Sequence, residues 1–298
     1  MRKLMFVTLV LVCAHAAPAF GWSAEGHRIV CHIAYSLLDP QEQNELDRLM
    51  KAYTPPNRQQ PYDDFSEGCV FADIARTNSK GQNVAKKWKY FRQFKKWHFL
   101  NVARDTKTIE ATDCADNCVL RGISQHAAAA KDTGRPEWQR GQALLLLGHW
   151  VGDVHQPLHI SYEDDTGGNE INDIRGSYYP SDHLHAVWDG GIIWVARTAE
   201  GEEWEEYADR LKNTLPDDVA PWLQSDELAW AQESYDITID AETDYCELET
   251  DQDGNEWCAW EGPTRTLKAA YQTKFQPKVE QRLQQAGVRL AAKIRSVL

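Results

Sequence analysis

The stretch HWVGDVHQPLH, running from His149 to His159, decides how the rest of the chain reads. It carries His149, Asp153, His155 and His159 directly after the apolar run Leu144 to Leu147. The pattern from Trp138 to Gln156 predicts a helix, on which residues four apart share a face with Cβ atoms about 5–6 Å apart. His149 and Asp153 can therefore grip one ion together. Pro157 disfavours helical geometry in Gln156, so the helix should end there and His159 should return from the turn. Beyond a loop, HAVWD repeats the device with His185 and Asp189. Imidazole nitrogens combined with carboxylate oxygens suit zinc.

Apolar positions elsewhere mostly keep the helical period. Ile29, Ile33, Ala34 and Leu37 line one face of a helix predicted over Gly26 to Leu38, and Asp39-Pro40 stops it and starts another. Further helices are predicted over Glu67 to Arg76, Val119 to Lys131, Leu184 to Ala196, Glu202 to Asn213 and Val219 to Tyr235. A last one runs from Pro263, with a kink or break at Pro277. Trp97 to Val102 reads as extended, Thr54 to Ser66 and Ile160 to Asp182 as loops, and Asp240 to Gly262 as an acidic loop. The fold class is all-α. Without a Pro/Gly/Ser linker or a repeat, a single domain is expected.

Arg2 and Lys3 precede the apolar segment Leu4 to Ala14, and small residues then lead to Gly21. This is the pattern of a secretory signal peptide, and the run is short of the ~20 residues that a membrane anchor needs. Residues 1–21 are expected to be removed, leaving residues 22–298 as an exported domain without a membrane anchor. Cleavage after Ala19 is the competing site. The choice matters because a free α-amine, with a pKa of about 7.7–8, can offer a metal its lone pair, which an amide nitrogen does poorly. Losing Arg2 and Lys3 takes the formal net charge from −13 to −15. That balance argues against long-range steering of nucleic acid, but not against a nucleic acid held locally by metal ions. Cys13 leaves with the signal, and an even number of cysteines in an exported chain favours disulfides. Spacing suggests Cys114 with Cys118 and Cys246 with Cys258, leaving Cys31 with Cys69, although other connectivities are open. Zinc–thiolate binding is the weaker alternative, because no CxxC pair is present.

Of the chain's histidines, His149, His155, His159, His183 and His185 bunch within one short span, unlike scattered surface histidines. His27, Asp73 and His98 are further candidates, each of which alone would suit a structural role. Together with the two i, i+4 pairs and His159 they exceed what one zinc needs, since a catalytic zinc uses about three protein ligands. A multinuclear site is therefore expected. Such sites suit phosphoester hydrolysis, acidifying a water and neutralising the departing oxygen. Arg76, one turn from Asp73, could brace phosphoryl oxygens bidentately or simply pair with one of the many acids.

Motifs in order are WxxxGH at Trp22 to His27, AD..R at Ala72 to Arg76, WHF at Trp97 to Phe99, HxxGDxHQPLH at His149 to His159, GGN at Gly167 to Asn169, and LHxxWD at Leu184 to Asp189. The set resembles the zinc-dependent, single-strand-specific nucleases of the fungal S-one/P-one type and their plant and bacterial relatives. The likeness runs over nearly the whole chain after residue 21, including WAQESY from Trp230. It implies a mostly helical, disulfide-stapled domain, related to zinc phospholipase C, holding three zinc ions. Asp73, His98, His149 and Asp153 would hold one; His159, His185 and Asp189 the second; the Trp22 amine and carbonyl, His27 and an oxygen of Asp153 the third. Arg76 would stabilise the transition state. The implied reaction breaks the bond between phosphorus and the 3′ oxygen, leaving 5′-phosphates on single-stranded DNA or RNA, and also removes 3′-phosphates from nucleotides. Cys31 and Cys69 sit where relatives form a disulfide.

The sequence departs from the fungal pattern at Asn101, where many relatives carry an Asp that helps orient the attacking water. An amide can position water but cannot take its proton. His183 and Gly191 also replace asparagines, the second of which binds the nucleobase in fungal members. Three functions compete: a nuclease acting as a monomer, a phospholipase C, and a zinc-stapled module without activity. The run KKWKYFRQFKKW, Lys86 to Trp97, interleaves basic and aromatic residues as single-stranded nucleic acid would require. The preferred reading is a solvated helix face with its aromatics packed inward. His32, His126 and His155 are expected in supporting roles, and Glu249 to Glu256 as an acidic turn, since a calcium loop would need Glu at Trp260.

Overall fold

The computed structural model describes residues 22–115, 117–171, 174, 179, 181, 183–240, 243, 247–250, 252, 254, 256–259 and 267–298. In chain order the helices are α1 (Ala24–Ser36), α2 (Pro40–Lys51), α3 (Phe65–Gly68), α4 (Phe71–Asn78), α5 (Val119–Lys131), α6 (Glu137–Val154), α7 (Leu184–Ala186), α8 (Ile192–Glu200), α9 (Trp204–Asn213), α10 (Ala220–Leu223), α11 (Glu227–Thr238) and α12 (Ala269–Val297). A 3-10 helix covers Lys86–Phe94. Strands β1 (Leu100–Val102) and β2 (Ile160–Tyr162) form one pair, β3 (Glu247–Thr250) and β4 (Glu256–Ala259) another. The all-α class and the single helical domain follow directly.

Everything packs around α6. Each residue from Ala143 to Tyr162 is buried, as befits a helix whose apolar character runs right round its circumference. It is surrounded by α5, α2, α1 and α12, and α1 is in turn covered by α9 and α12. Three glycines of α6 allow unusually close approaches: Gly141, where a Cβ would lie 2.1 Å from the Leu49 carbonyl oxygen of α2, and two that bear on the site. A Cβ on Gly148 would lie 2.6 Å from Cys69 Sγ, and one on Gly152 would lie 2.7 Å from His27 Nδ1. The first makes room for the Cys31–Cys69 disulfide, the second for a candidate ligand. Cys114 and Cys118 are also bonded. Cys246 lies outside the described residues, as do residues 1–21, so neither the third bridge nor the leader is seen.

Several boundaries differ from expectation. The helix foreseen over Glu67 to Arg76 is two, α3 and α4. Between them the Cys69 carbonyl accepts a hydrogen bond from His149 Nδ1 at 2.7 Å. Val219 to Tyr235 also divides, because Asp226 caps a fresh helix by accepting from the Ala229 N–H at 2.9 Å. Pro277 lies inside α12 without interrupting it. Ile160 to Tyr162, expected in a loop, pairs in parallel with β1 (Leu100↔Ile160, Asn101↔Ser161, Val102↔Tyr162). Its continuous burial left no alternation to read. The acidic loop contains the antiparallel hairpin β3–β4. Among the described residues no helix is long and apolar enough to cross a membrane.

Candidate metal centre

Five segments deliver the polar residues to one point beneath the surface. α1 brings His27, α4 brings Asp73 and Arg76, the approach to β1 brings His98, and α6 with the turn after it brings His149, Asp153 and His159. His185 and Asp189 arrive on α7 and the π-helical turn Val187–Gly191, a wider winding found mostly at functional sites. The β1–β2 ladder fixes the spacing of His98, two residues before β1, and His159, directly before β2.

Asp153 is the hub. Its Oδ1 lies 3.4 Å from both His27 Nε2 and His159 Nδ1, and its Oδ2 lies 3.2 Å from both His98 Nδ1 and His149 Nε2. Asp73 Oδ1 stands 3.5 Å from His98 Nδ1 and 3.6 Å from His149 Nε2. Asp189 faces His185 Nε2 at 3.5 Å and His159 Nε2 at 3.7 Å. Three groups therefore present ligand atoms within 4.8 Å of one another: His27, Asp73 and His149; His98, His149 and Asp153; His159, His185 and Asp189.

The tautomers are set by the backbone. His149 donates Nδ1–H to Cys69, His185 to the Gly167 carbonyl at 2.5 Å, and His159 to the His98 carbonyl. Each ring then turns its Nε2 lone pair inward, the arrangement by which outer partners orient metal-binding imidazoles. Gln156 donates its amide to Asp189 Oδ1. Meanwhile both oxygens of Asp153, Asp73 Oδ1, Asp189 Oδ2, His159 Nε2 and both nitrogens of His27 are buried without a hydrogen-bond partner. Unpaired buried polar atoms are costly, and a cluster of lone pairs left this way fits divalent cations.

The local electrostatics agree. Burial, reinforced by the charge of His149, pushes His27 down to about 4, and burial takes His185 down to about 3. Burial raises Asp73 and Asp153 to about 6 each, and lifts Asp189 well above the usual carboxylate range. The pocket holds its imidazoles neutral, as ligands must be, and leaves its carboxylates short of positive charge that a divalent ion would supply.

Every sequence-predicted ligand side chain reaches this centre. Trp22 is fully buried, and the next residue ties the chain down, Ser23 N–H donating to the Asp189 carbonyl at 2.8 Å. Arg76 and Asn101 line the mouth beside Phe99, His159, Asn169 and His185, and the Asn101 side-chain oxygen is buried without a partner. His155 and His126 are supporting residues. His155 donates Nδ1–H to Val151 at 2.8 Å and accepts from Arg289 at 2.9 Å, while Trp150 donates to His126 at 3.0 Å. His32 lies elsewhere, partly exposed and paired with Asp209 at 3.1 Å.

Sequence reasoning missed Gln156, the carbonyls of Cys69 and Gly167, and a buried brace behind α6. In that brace Glu233 of WAQESY binds Arg289 through both oxygens, at 2.7 and 2.6 Å, and Arg282 at 2.5 Å. Arg282 also donates to the His155 carbonyl at 3.2 Å, and Ser234 to that of Val154 at 2.6 Å. Two arginines on α12 seven residues apart were the available signal.

The family model described as S1/P1 Nuclease matches residues 22–298. The chain belongs to the S1/P1 nuclease family. Among curated relatives it is 28% identical to Endonuclease 1 of Arabidopsis thaliana, over 97% of this chain and 91% of the relative. It is 25% identical to Nuclease S1 of Aspergillus oryzae, covering 94% and 92%, and to Nuclease P1 of Penicillium citrinum, covering 56% and 57%. As an S1/P1 nuclease family member it is a hydrolase of phosphodiester bonds in nucleic acid. That placement favours the nuclease over the phospholipase and over the inactive zinc-stapled module.

Proposed function

We propose that this chain is an exported, zinc-dependent endonuclease that cleaves single-stranded DNA and RNA to 5′-phosphate products and removes 3′-phosphates from nucleotides. The observation that carries this reading is the convergence of five imidazoles and three carboxylates, from distant segments, on one buried point with unpaired ligand atoms. Residues 1–21 are the leader and residues 22–298 the mature monomeric domain. Asp73, His98, His149 and Asp153 hold one zinc, and His159, His185 and Asp189 a second. The Trp22 amine and carbonyl, His27 and Asp153 hold a third. Zinc bound there supplies Lewis-acid chemistry, acidifying water and neutralising negative charge on phosphoryl oxygens.

The protein's own residues do the positioning. The planar fork of Arg76 faces the mouth, suited to grip two phosphoryl oxygens as charge grows on them. Asn101 offers its side-chain oxygen to orient a water for in-line attack. Water adds to phosphorus and releases one proton to solvent, the P–O3′ bond breaks, and the 3′ oxygen leaves as a hydroxyl after gaining a proton from solvent. Gln156 steadies one oxygen of Asp189 while the other faces His185.

The test is a panel of zinc-loaded protein on single- and double-stranded DNA, RNA, a 3′-mononucleotide and phosphatidylcholine. Single strands and the mononucleotide should be hydrolysed and the lipid should not; no turnover of any phosphodiester would overturn the reading. Arg76→Ala should lower kcat by about 10²–10³-fold with metal content unchanged. Arg76→Lys should recover little, since an ammonium lacks the bidentate fork. Gly152→Ala should drive a methyl group against the His27 ring and weaken metal binding by about 10–100-fold, read by elemental analysis after dialysis. Full metal retention would show that the ring does not contribute.

A further inference from the structure

On the far side of Trp150 from the metal ligands lies a groove of about 860 Å³, within the size range of small-ligand pockets. The 3-10 helix Lys86–Phe94, α5, the first turns of α6 and Tyr53 to Pro56 enclose it. Of the aromatics in KKWKYFRQFKKW, Trp88, Phe91, Phe94 and Trp97 pack inward as expected, but Tyr90 stays 55% exposed. It shares the groove with Trp138, itself 47% exposed. Below them Phe94 meets His126 at 5.2 Å, and Trp150 touches the His98 ring at 4.8 Å. Tyr53 lines the same groove with its hydroxyl buried beside Gln142, making no well-formed hydrogen bond.

Charge distinguishes this groove from a plain apolar cleft. Lys87 and Arg135 stand on its rim, the latter steadied by Asp132 at 3.2 Å. Basic residues then lead back towards the metal centre. Arg92 donates to the Ser79 and Gly81 carbonyls, which ties the 3-10 helix to the end of α4, the helix that carries Arg76. In a chain of formal net charge −13, such a cationic track from Arg76 to two exposed aromatics calls for an anionic partner carrying flat rings.

We propose that this groove seats unpaired bases of a single-stranded nucleic acid whose phosphodiester lies at the metal centre, with the basic track following the intervening backbone. The inference rests on the nuclease reading and deepens it. Stacking on Tyr90 and Trp138 needs a base with both faces free, so the groove discriminates for single strands without reading sequence, and short substrates cannot span to it.

The experiment uses the zinc-loaded protein and its Trp138→Ala, Tyr90→Ala and Trp138→Phe variants. Binding is measured by fluorescence anisotropy with a labelled thymidylate strand of about twenty nucleotides, its linkages phosphorothioate to slow cleavage, against a dinucleotide. Each alanine variant should weaken the long strand about 5–100-fold, as loss of one stacked base does. Trp138→Phe should stay near wild type. The dinucleotide affinity, 3′-mononucleotide turnover and metal content should not change. Equal binding of the long strand by wild type and both alanine variants would overturn the proposal, as would an equal loss on long and short ligands. Wild type that binds the long strand through Trp138 yet hydrolyses nothing would instead count against the catalytic reading.

Discussion

Asp153→Asn is expected to lower turnover on single-stranded DNA by at least about 10³-fold, the equivalent of several kcal/mol of transition-state stabilisation. Asp153 stands within 3.4 Å of four imidazoles, so on the proposed ligand assignment an amide at this position deprives two ion sites of their shared anionic oxygen. The same substitution should act oppositely on the fold without metal. A fully buried carboxylate with two unpaired oxygens opposes folding, and the neutral amide avoids the desolvation cost of that charge. Thermal melts should therefore show the variant less stable than wild type in zinc, and equal or more stable in chelator. A variant that melts lower in both conditions would make Asp153 a structural residue rather than a ligand.

The second large effect concerns the residue at position 22. Protein beginning at Trp22 and protein carrying one extra glycine before it differ in a single nitrogen, amine in the first and amide in the second. Trp22 is fully buried, and its neighbour Ser23 is bonded to the backbone of Asp189, so residue 22 is held beside the candidate ligands. The extended form should bind the third ion at least about 100-fold more weakly and lose most of its activity. Elemental analysis and initial rates on the two forms, each confirmed by mass, decide it. Equal zinc content and equal rates would remove Trp22 from the site.

The candidate ligand set was legible because metal binding imposes spacing on sequence. Two i, i+4 pairs and a flanking histidine can be recognised without coordinates, and the buried run before His149 marked the central helix. The partners that orient those ligands were not legible. Backbone carbonyls of Cys69, His98 and Gly167 look like any others in sequence, and their role exists only once segments far apart have met. Gln156 was hidden for another reason, since a glutamine beside proline reads first as a turn. The π-helical turn at Asp189 and the split of α3 from α4 escaped because both depend on neighbours and not on the local period. The groove at Tyr90 and Trp138 joins residues separated by whole helices, and the alternation of basic and aromatic side chains alone favoured the blander reading. Distances along the chain encode faces of one element; surfaces made by several elements stay silent until they are assembled.

The Cys31–Cys69 bridge is more than a staple. Cys69 contributes the carbonyl that aims His149, so the bridge fixes the backbone at the very residue that orients one imidazole of the cage. In a reducing interior the newly made polypeptide would lack that constraint and hold its ions poorly, whatever zinc is at hand. An S1/P1 nuclease stapled at this point is one whose cage is best assembled where thiols are oxidised.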